Sequence, residues 1–258
     1  MYKRQTRYTV IDKRLPKNFS GLRLLQISDL HGKEFGKENR RLVEQIRKIK
    51  PDAILITGDI LLSRRPNLGR AESLMRQVKE VAPVYYVSGN HEKRCGSYKE
   101  CIARLEGAGI TVLEDRRVQI RRGEERIDLV GIKDRKKGEL GATETFLGGV
   151  ADLGAFQLLL AHRPERIELY AKYGFPLVFS GHAHGGQVRL PLIGGLIAPG
   201  QGLFPRMTSG VQYRDKTAMV ISRGLGNSFF PLRFLNPPEL VEVTLKQSDA
   251  TEIKDGKK

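Results

Sequence analysis

Five short clusters in this chain combine the residue types that bind metal ions, and together they hold every histidine of the sequence. The chain has 258 residues, of which five are histidine. Each cluster contains an aspartate, an asparagine or a histidine, in the order Asp29-Leu30-His31, Gly58-Asp59, Asn90-His91-Glu92, His162-Arg163 and His182-Ala183-His184. Histidines placed by chance would scatter over helices and surface loops. Their confinement to these clusters therefore indicates one shared site.

The donor types in the clusters indicate which metals would bind. Carboxylate, amide and imidazole groups without thiolate supply mixed oxygen and nitrogen donors, which suit manganese, iron or zinc in a catalytic role. A closed structural zinc site takes four ligands and commonly includes cysteine. The candidate ligands are too many for one ion and enough for two ions that share a carboxylate: Asp29, His31, Asp59, Asn90, His162, His182 and His184. These residues predict a centre of two divalent metal ions (Mn, Zn or Fe).

The segments before the clusters are apolar and of strand length. They are Leu24–Ile27, Ala53–Ile56, Val84–Val87, Leu158–Leu160 and Leu177–Phe179. Two helices are predicted between them, because apolar residues recur at helical spacing from Leu42 to Ile49, with Asn39 as N-cap, and from Ala71 to Val81. Alternating strands and helices indicate an α/β layer fold. Since ligands in open α/β sheets bind at the carboxyl ends of the strands, the clusters should meet at one edge.

Later strands without intervening helices suggest antiparallel additions to the sheets. They are predicted at Arg117–Ile120, Ile127–Val130, Ala218–Ile221 and Leu240–Leu245. We expect three parts in the chain: a basic segment over residues 1–19, a single domain over 20–246, and a flexible polar tail over 247–258.

The composition narrows the functional classes. The net charge is +16, which favours nucleic acid, anionic lipid surfaces or phosphorylated substrates as partners, with a merely solvated surface as the alternative.

No apolar run in the given chain approaches the ~20 residues of a membrane-spanning helix. The two cysteines, Cys95 and Cys101, are too few for a disulfide framework and are read as free thiols. Walker-type and Gly-x-Ser-x-Gly motifs are absent, which excludes nucleotide motors and serine hydrolases.

The ordered clusters from Asp29 to His184 resemble the signature of the calcineurin-like metallophosphoesterases. The resemblance implies an α/β fold of four layers, in which two mixed β-sheets are flanked by helices. It also implies that one ion is held by Asp29, His31, Asp59 and His184. The other ion would be held by Asp59, Asn90, His162 and His182, so that Asp59 bridges the two.

The same resemblance implies a two-metal-dependent hydrolase of phosphoester or pyrophosphate bonds. Two ions lower the pKa of a shared water from 15.7 towards about 7, so that hydroxide can attack phosphorus in line with the leaving oxygen. Asp59 and His91 are the catalytic candidates, with His91 beside the leaving group, where it would protonate the departing oxygen or stabilise its charge. Arg163 is a candidate for binding the substrate phosphate, and a surface ion pair is its alternative role.

A narrower resemblance concerns the substrate. The segments Gly181–Pro191, Ser222–Gly226 and Pro237–Glu239 resemble a bacterial, membrane-linked branch that includes UDP-diacylglucosamine pyrophosphatases. It implies a lipid-linked or small phosphodiester substrate and an anionic membrane surface as partner. The apolar stretch Leu190–Pro205 would then form a wall for acyl chains, or else pack as an ordinary long loop. The alternatives are a nuclease or nucleotide phosphodiesterase of the same chemistry, and a non-catalytic binding protein. No obligate protein partner is inferred.

The start of the chain carries a separate expectation. Met1–Gln5 is the peptide encoded by the end of a common transposon adapter, so these residues can be a sequencing scar on a truncated protein. The full-length protein would then carry a membrane or export segment upstream. The basic residues over positions 6–23 would favour the cytoplasmic face of the membrane. A genuine short basic start is the alternative, and intact genomic DNA distinguishes the two.

Overall fold

The computed structural model describes residues 4–151, 154–227, 233–249 and 252–256. Its strands are β1 Arg4–Ile11, β2 Arg23–Ile27, β3 Ala53–Thr57, β4 Val84–Val87, β5 Thr111–Val112, β6 Arg116–Arg122, β7 Glu125–Gly131, β8 Phe156–Leu160, β9 Leu177–Ser180, β10 Arg189–Leu190, β11 Gly194–Gly195, β12 Ile197–Ala198, β13 Gly202–Leu203, β14 Gly210–Arg214, β15 Thr217–Ile221, β16 Glu239–Lys246 and β17 Glu252–Asp255. Its α-helices are α1 Arg40–Ile49, α2 Leu68–Lys79, α3 Asn90–Arg94, α4 Tyr98–Gly107, α5 Leu140–Val150 and α6 Ile167–Lys172.

The strands form two large mixed sheets and two small ribbons. The first sheet has the order β17-β1-β16-β2-β3-β4-β5, and the second has the order β14-β15-β9-β8-β7-β6. Strands β2 to β5 are parallel in the first sheet, as are β7, β8, β9 and β15 in the second. The ribbons are β10-β11 and β12-β13. Every strand predicted from the sequence is present, and the prediction of two mixed sheets is confirmed.

Alternation of side chains along the strands builds the layers. Leu24 and Leu55 face the second sheet and pack in a core between the sheets, whereas Leu25 and Ile54 face helices α1, α2 and α4. Helices α5 and α6 cover the outer face of the second sheet around Leu159. Strands that are buried on both faces read as continuous apolar runs, which is the pattern seen in the sequence. The architecture is therefore the expected sandwich of two sheets flanked by helices.

The two predicted helices are present, and the predicted cap of the first one is wrong. Helix α1 begins at Arg40 and buries Leu42, Val43, Ile46 and Ile49. Asn39 precedes it with a φ of 62°, and its side chain makes no capping hydrogen bond. Instead its Oδ1 accepts from the Phe35 amide at 3.0 Å, so the side chain stabilises the preceding turn.

Both ends of the chain contribute to the first sheet, which differs from the expected division. Strand β1 lies within the segment assigned to a separate basic start, and it pairs parallel with β16. Strand β17 lies within the expected flexible tail, and it pairs antiparallel with β1. These polar segments are ordered by partners distant in sequence, which a local pattern does not reveal. The origin of Met1–Gln5 stays a prediction, although Arg4 and Gln5 belong to β1.

Two further observations concern the described residues. Within them, no helix has the length and apolar character needed to cross a bilayer. Cys95 and Cys101 are both buried and unpaired in the core, as the sequence reading expected.

Candidate metal centre

The predicted ligands converge where strands from both sheets end. Asp29 and His31 follow β2, Asp59 follows β3, Asn90 opens α3 after β4, His162 follows β8, and His182 and His184 follow β9. A buried side chain ties the sheets together just below. The Nε2 of Gln26 donates to the Ser180 carbonyl at 2.8 Å and to Thr57 Oγ1 at 3.0 Å. This link holds the carboxyl ends of β2, β3 and β9 at one place.

Five of the seven candidate ligands adopt a left-handed backbone conformation. Their φ angles are 50° at Asp29, 49° at His31, 55° at Asp59, 66° at His182 and 49° at His184. Non-glycine residues rarely adopt such angles, and each costs roughly 1–3 kcal/mol unless the surroundings fix it. Backbone strain of this kind clusters at functional sites. There it directs side chains to one point that they would not reach from a relaxed loop.

Gly58 lets the loops after β3 and β4 touch. Its φ is 93°, and an added Cβ would lie 2.6 Å from the Gly89 amide nitrogen and 2.7 Å from Nδ1 of His162. Only a residue without a side chain fits this approach. The close contact places Asp59 beside the residues that follow β4.

The first group of candidate ligands is Asp29, His31, Asp59 and His184, whose ligand atoms all lie within 4.8 Å of one another. The Nε2 atoms of His31 and His184 are 2.9 Å apart, and Nε2 of His184 is 3.4 Å from Asp29 Oδ1. All four side chains are buried. Two carboxylates and two imidazoles at this spacing suit one divalent ion of the manganese, iron or zinc type.

The second group shares Asp59 with the first and adds His162 and His182, again within 4.8 Å. The Nε2 of His162 lies 3.3 Å from Asp59 Oδ2, 3.1 Å from Nδ1 of His182 and 3.3 Å from Oδ1 of Asn90. The structure thus brings six of the seven predicted ligands together in two overlapping groups, and the seventh, Asn90, lies beside His162 of the second group. Asp59 is the residue common to both, so this set fits two ions.

A hydrogen bond of Nδ1 fixes the orientation of the His162 ring. Its Nδ1 donates to the Thr57 carbonyl at 2.7 Å, which fixes the ring with Nε2 directed at the candidate ligands. Burial opposes a charge here, but the adjacent Asp59 carboxylate raises the pKa of His162 to about 10. His162 in turn helps to hold the pKa of Asp59 well below its usual value, against burial. Because an imidazole binds metal in its neutral form, loading an ion requires loss of this proton.

The other buried histidines are kept neutral, the form that binds metal. Burial lowers the pKa of His31 to about 4, and it also lowers the pKa values of His182 and His184. Burial raises the pKa of Asp29 to about 6, because it disfavours the charged form of the carboxyl group. A divalent ion would stabilise the ionised form of Asp29, because it supplies positive charge beside the carboxylate.

Glu92 organises the loops rather than touching the ligand atoms, a role that the sequence did not reveal. Its Oε2 accepts from the amides of Asp59 and Gly89, and its Oε1 accepts from the Leu61 amide, each at 2.8 Å. Burial, followed by the charge of Asp59, raises the pKa of Glu92 to about 7. The bonds to Asp59 and Leu61 cross 33 and 31 residues, so only its position beside His91 hinted at a structural role.

His91 lies at the mouth of the site and is half-buried. Its Nδ1 accepts from the Ser63 amide at 3.2 Å, so the neutral ring carries its proton on Nε2. Its backbone amide donates to Asp59 Oδ1 at 2.8 Å, which couples its position to the shared carboxylate. Burial lowers its pKa from the ordinary value. His91 therefore presents an N–H hydrogen-bond donor on Nε2 without itself carrying a charge.

A cleft of about 400 Å³ opens onto these residues. It is lined by Asp59, Ser63, Arg64, Asn90, His91, Arg94, Arg163, His182, His184, Pro199 and Gly200. Arg163 makes a two-pronged ion pair with Asp134, at 2.6 and 3.1 Å, and its Nη1 lies 3.4 Å from Nε2 of His182. The arginine is thus both ion-paired and part of the cleft wall.

Comparison with known proteins agrees with this geometry. The family model described as calcineurin-like phosphoesterase matches residues 22–186. The chain is 28% identical to an uncharacterized metallophosphoesterase, YkuE, of Bacillus subtilis, covering 95% of this chain and 86% of that protein. It is 31% identical to the phosphodiesterase YaeI of Escherichia coli, covering 76% and 71%. The solved structure of TT1561 from Thermus thermophilus aligns at a TM-score of 0.56, with 14% identity, over 80% and 90%.

The chain belongs to the calcineurin-like phosphoesterase family. Its fold is the α/β metallophosphoesterase fold, and it is a metal-dependent phosphoester hydrolase. The prediction of this family and of divalent metal cofactors is confirmed, whereas the narrower lipid-linked branch stays a prediction.

Proposed function

We propose that the seven converging residues hold two divalent ions and that Asp59 bridges them. One ion would take Asp29, His31, Asp59 and His184, and the other would take Asp59, Asn90, His162 and His182. The observation that carries this proposal is the membership of Asp59 in both groups of closely spaced ligand atoms. When bound, two such ions activate a water nucleophile and neutralise charge on the phosphoryl oxygens.

The chain's own residues would orient the substrate and stabilise the leaving group. Arg163, fixed by Asp134 at the wall of the cleft, would hold a phosphoryl oxygen through the rest of its guanidinium. His91 would stabilise the charge on the leaving oxygen by a hydrogen bond from Nε2, because its Nδ1 accepts from the Ser63 amide and the ring is then neutral. A preorganised donor of this kind contributes roughly 10²–10³-fold to a rate.

We expect His91→Ala to lower the rate of hydrolysis while leaving metal content unchanged. The loss should be near 10²-fold for an alkyl ester and several-fold smaller for a p-nitrophenyl ester, because a leaving oxyanion that is already stable needs little help from a hydrogen-bond donor. The measurement is kcat on both esters, together with metal analysis of the purified protein. Equal losses on the two esters would contradict a role of His91 at the leaving oxygen.

For the substrate, we propose a lipid-linked phosphoester or pyrophosphate at a membrane surface. The supporting observation is the apolar hairpin surface, which we define as the strongly exposed side chains of Leu192, Ile193, Ile197, Leu203 and Phe204. Leu192 is fully exposed, and Leu203 and Phe204 are 72% and 66% exposed. Phe234 and Leu235 are also exposed, and Phe234 is joined to Val188 by a β-bridge.

The β12-β13 part of the apolar hairpin surface borders the metal cleft. Strands β12 and β13 carry Ile197 and Leu203, and the turn between them supplies Pro199 and Gly200 to the cleft wall. Apolar side chains grouped at loop tips on a basic protein fit the interface of an anionic bilayer. A lipid substrate could thus enter the cleft from the membrane while its acyl chains stay in apolar surroundings.

A nuclease or nucleotide phosphodiesterase is the second candidate, because the basic charge would also attract a phosphate backbone. Proteins that bind single strands commonly add aromatic side chains on which bases stack. Among the described residues that line the cleft, none is phenylalanine, tyrosine or tryptophan. This favours the lipid-linked substrate, and the experiment below distinguishes the two.

We expect the double variant Leu192→Asp with Ile193→Asp to lose binding to vesicles that contain phosphatidylglycerol. Burying each side chain is worth ~1.5–3 kcal/mol, so apparent binding and turnover of a UDP-linked diacyl lipid should fall at least roughly tenfold. Cosedimentation and kcat/KM measure these effects. Hydrolysis of bis(p-nitrophenyl) phosphate should not change.

The control is Tyr213→Asp, which places one such charge on another exposed large side chain, in β14. It should leave lipid turnover intact. Equal losses on the lipid and the soluble ester would indicate that the hairpin is only structural. Preference of the native protein for single-stranded DNA over the lipid would support the nuclease instead.

A further inference from the structure

A second cavity, of about 500 Å³, lies beside the metal cleft. It is lined by Asn90, Lys93, Arg94, Lys133, Asp134, Arg135, Lys136, Glu139 and Arg163, and we call it the cationic pocket. Asn90, Arg94 and Arg163 line the metal cleft as well, so the two cavities share a wall. Six of the nine lining residues are lysine or arginine, and two are acidic. None of these lysines is needed to hold a metal ion.

The acidic groups at the cationic pocket are already engaged. Asp134 accepts hydrogen bonds from Nε and Nη2 of Arg163, and Asp115 accepts one from Arg135 Nη1 at 2.8 Å. Lys133 Nζ lies 3.6 Å from the Glu114 carboxylate, and Glu139 accepts from the Lys136 amide at 3.4 Å. By contrast, the side chains of Lys93, Arg94 and Lys136 have no ion-pair partner within the described part of the chain. Positive charge therefore remains unneutralised.

Two ammonium groups are held together at the back of this pocket. Lys93 Nζ lies 4.1 Å and Lys133 Nζ 5.1 Å from the centre of the Tyr98 ring. Burial and the neighbouring Lys133 lower the pKa of Lys93 to about 8. Like charges repel when gathered in this way, and an anion between them would relieve the repulsion. The aromatic ring alone compensates only part of that cost.

We propose that the cationic pocket binds a second phosphate-type group of the substrate whose reacting phosphorus occupies the metal cleft. The inference rests on the proposed function, since it needs the ester to lie at the candidate metal ligands. Helix α3 relates the two places directly: it starts at Asn90, among those ligands, and its Lys93 lines the cationic pocket but not the metal cleft. Three residues of helix rise ~4.5 Å, so a short linker such as glycerol would connect the two anionic groups.

This second site would select substrates by the number of their anionic groups. Lysine binds phosphate as a mobile point charge, and arginine binds it through a fixed fork of donors. A substrate with a single phosphodiester would leave the cationic pocket filled by solvent and salt. One with a further phosphate would gain charge-assisted hydrogen bonds from Lys93, Arg94 and Lys136.

The test compares two soluble esters of glycerol phosphate. One is the p-nitrophenyl diester, and the other is the same diester with a second phosphate on the remaining primary hydroxyl. The native enzyme should show a KM at least roughly tenfold lower for the second ester, since hydrogen bonds between charged groups have about that effect. Lys136→Ala and Lys93→Gln should each remove most of this preference and leave kcat and the simple diester unchanged.

Lys137→Ala is the matched control, because Lys137 is exposed, adjoins Lys136 and does not line the cationic pocket. It should keep the native preference. Lys136 is exposed too, so its replacement should preserve folding, which circular dichroism can check. A native enzyme without preference, or equal losses on both esters, would overturn the proposal. If neither ester is hydrolysed with added metal, the proposed function itself has failed.

Discussion

Asp59→Asn should nearly abolish turnover and release metal from both positions. The change keeps the shape of the side chain but removes the one carboxylate common to both groups of ligand atoms. Metal ions supply several kcal/mol of transition-state stabilisation, and each 1.36 kcal/mol is tenfold in rate, so the expected loss of kcat/KM is roughly 10³-fold. Steady-state kinetics and metal analysis by plasma mass spectrometry measure both effects.

Asp29→Asn is the informative comparison, because Asp29 belongs to the first group alone. It should release about one equivalent of metal and leave the second position occupied. The exposed Asp52→Asn is the control for loss of one negative charge and should behave as the native protein. Retention of two ions and a near-native rate in Asp59→Asn would show that the bridging assignment is wrong.

Removal of metal by a strong chelator should eliminate detectable hydrolysis, and manganese, zinc or iron should restore it. The reason is that the site gathers imidazoles and carboxylates, which bind ions but do not themselves provide a strong nucleophile for phosphorus. The chelated protein is separated by gel filtration, its metal content is measured, and each ion is added back alone.

The chelated protein should remain folded, since the hydrogen bonds of Glu92 and the apolar layers do not require an ion. Circular dichroism before and after chelation tests this point, so a lost rate cannot be attributed to unfolding. Full activity at confirmed zero metal content would exclude the two-metal chemistry.

The site was predictable because its signals are local. An apolar run that ends in Asp, Asn or His predicts both a strand and the candidate ligand at its carboxyl end. This pattern occurs before Asp29, Asp59, Asn90, His162 and His182. Parallel strands end at a common edge, so five such signals define one place. The family resemblance then divides the ligands into two sets, and all of them except Asn90 lie in two groups of closely spaced side chains with the same members.

Features that depend on distant pairs were not predictable. Asp134 and Arg163 are 29 residues apart, and nothing in either neighbourhood marks them as partners. Glu92 caps helix α3 through the nearby Gly89 amide, but its contacts with Asp59 and Leu61 join loops that no local pattern connects. Strand β1 contains three charged or amide residues among its first four, so its sequence favours a solvated segment, and only its neighbours in the sheet make it a strand.

The position of β1 determines how long this strand stays unpaired while the chain is synthesised. In the first sheet β1 lies between β16 and β17, and Arg7 meets Glu242 across 235 residues. Ribosomes add about 5–20 residues per second, so this strand waits roughly 10–50 s after synthesis before a partner exists. Pairings of such long range also slow folding itself. During this interval both edges of β1 are open, and the charges of Arg4 and Arg7 would discourage its pairing with other nascent chains.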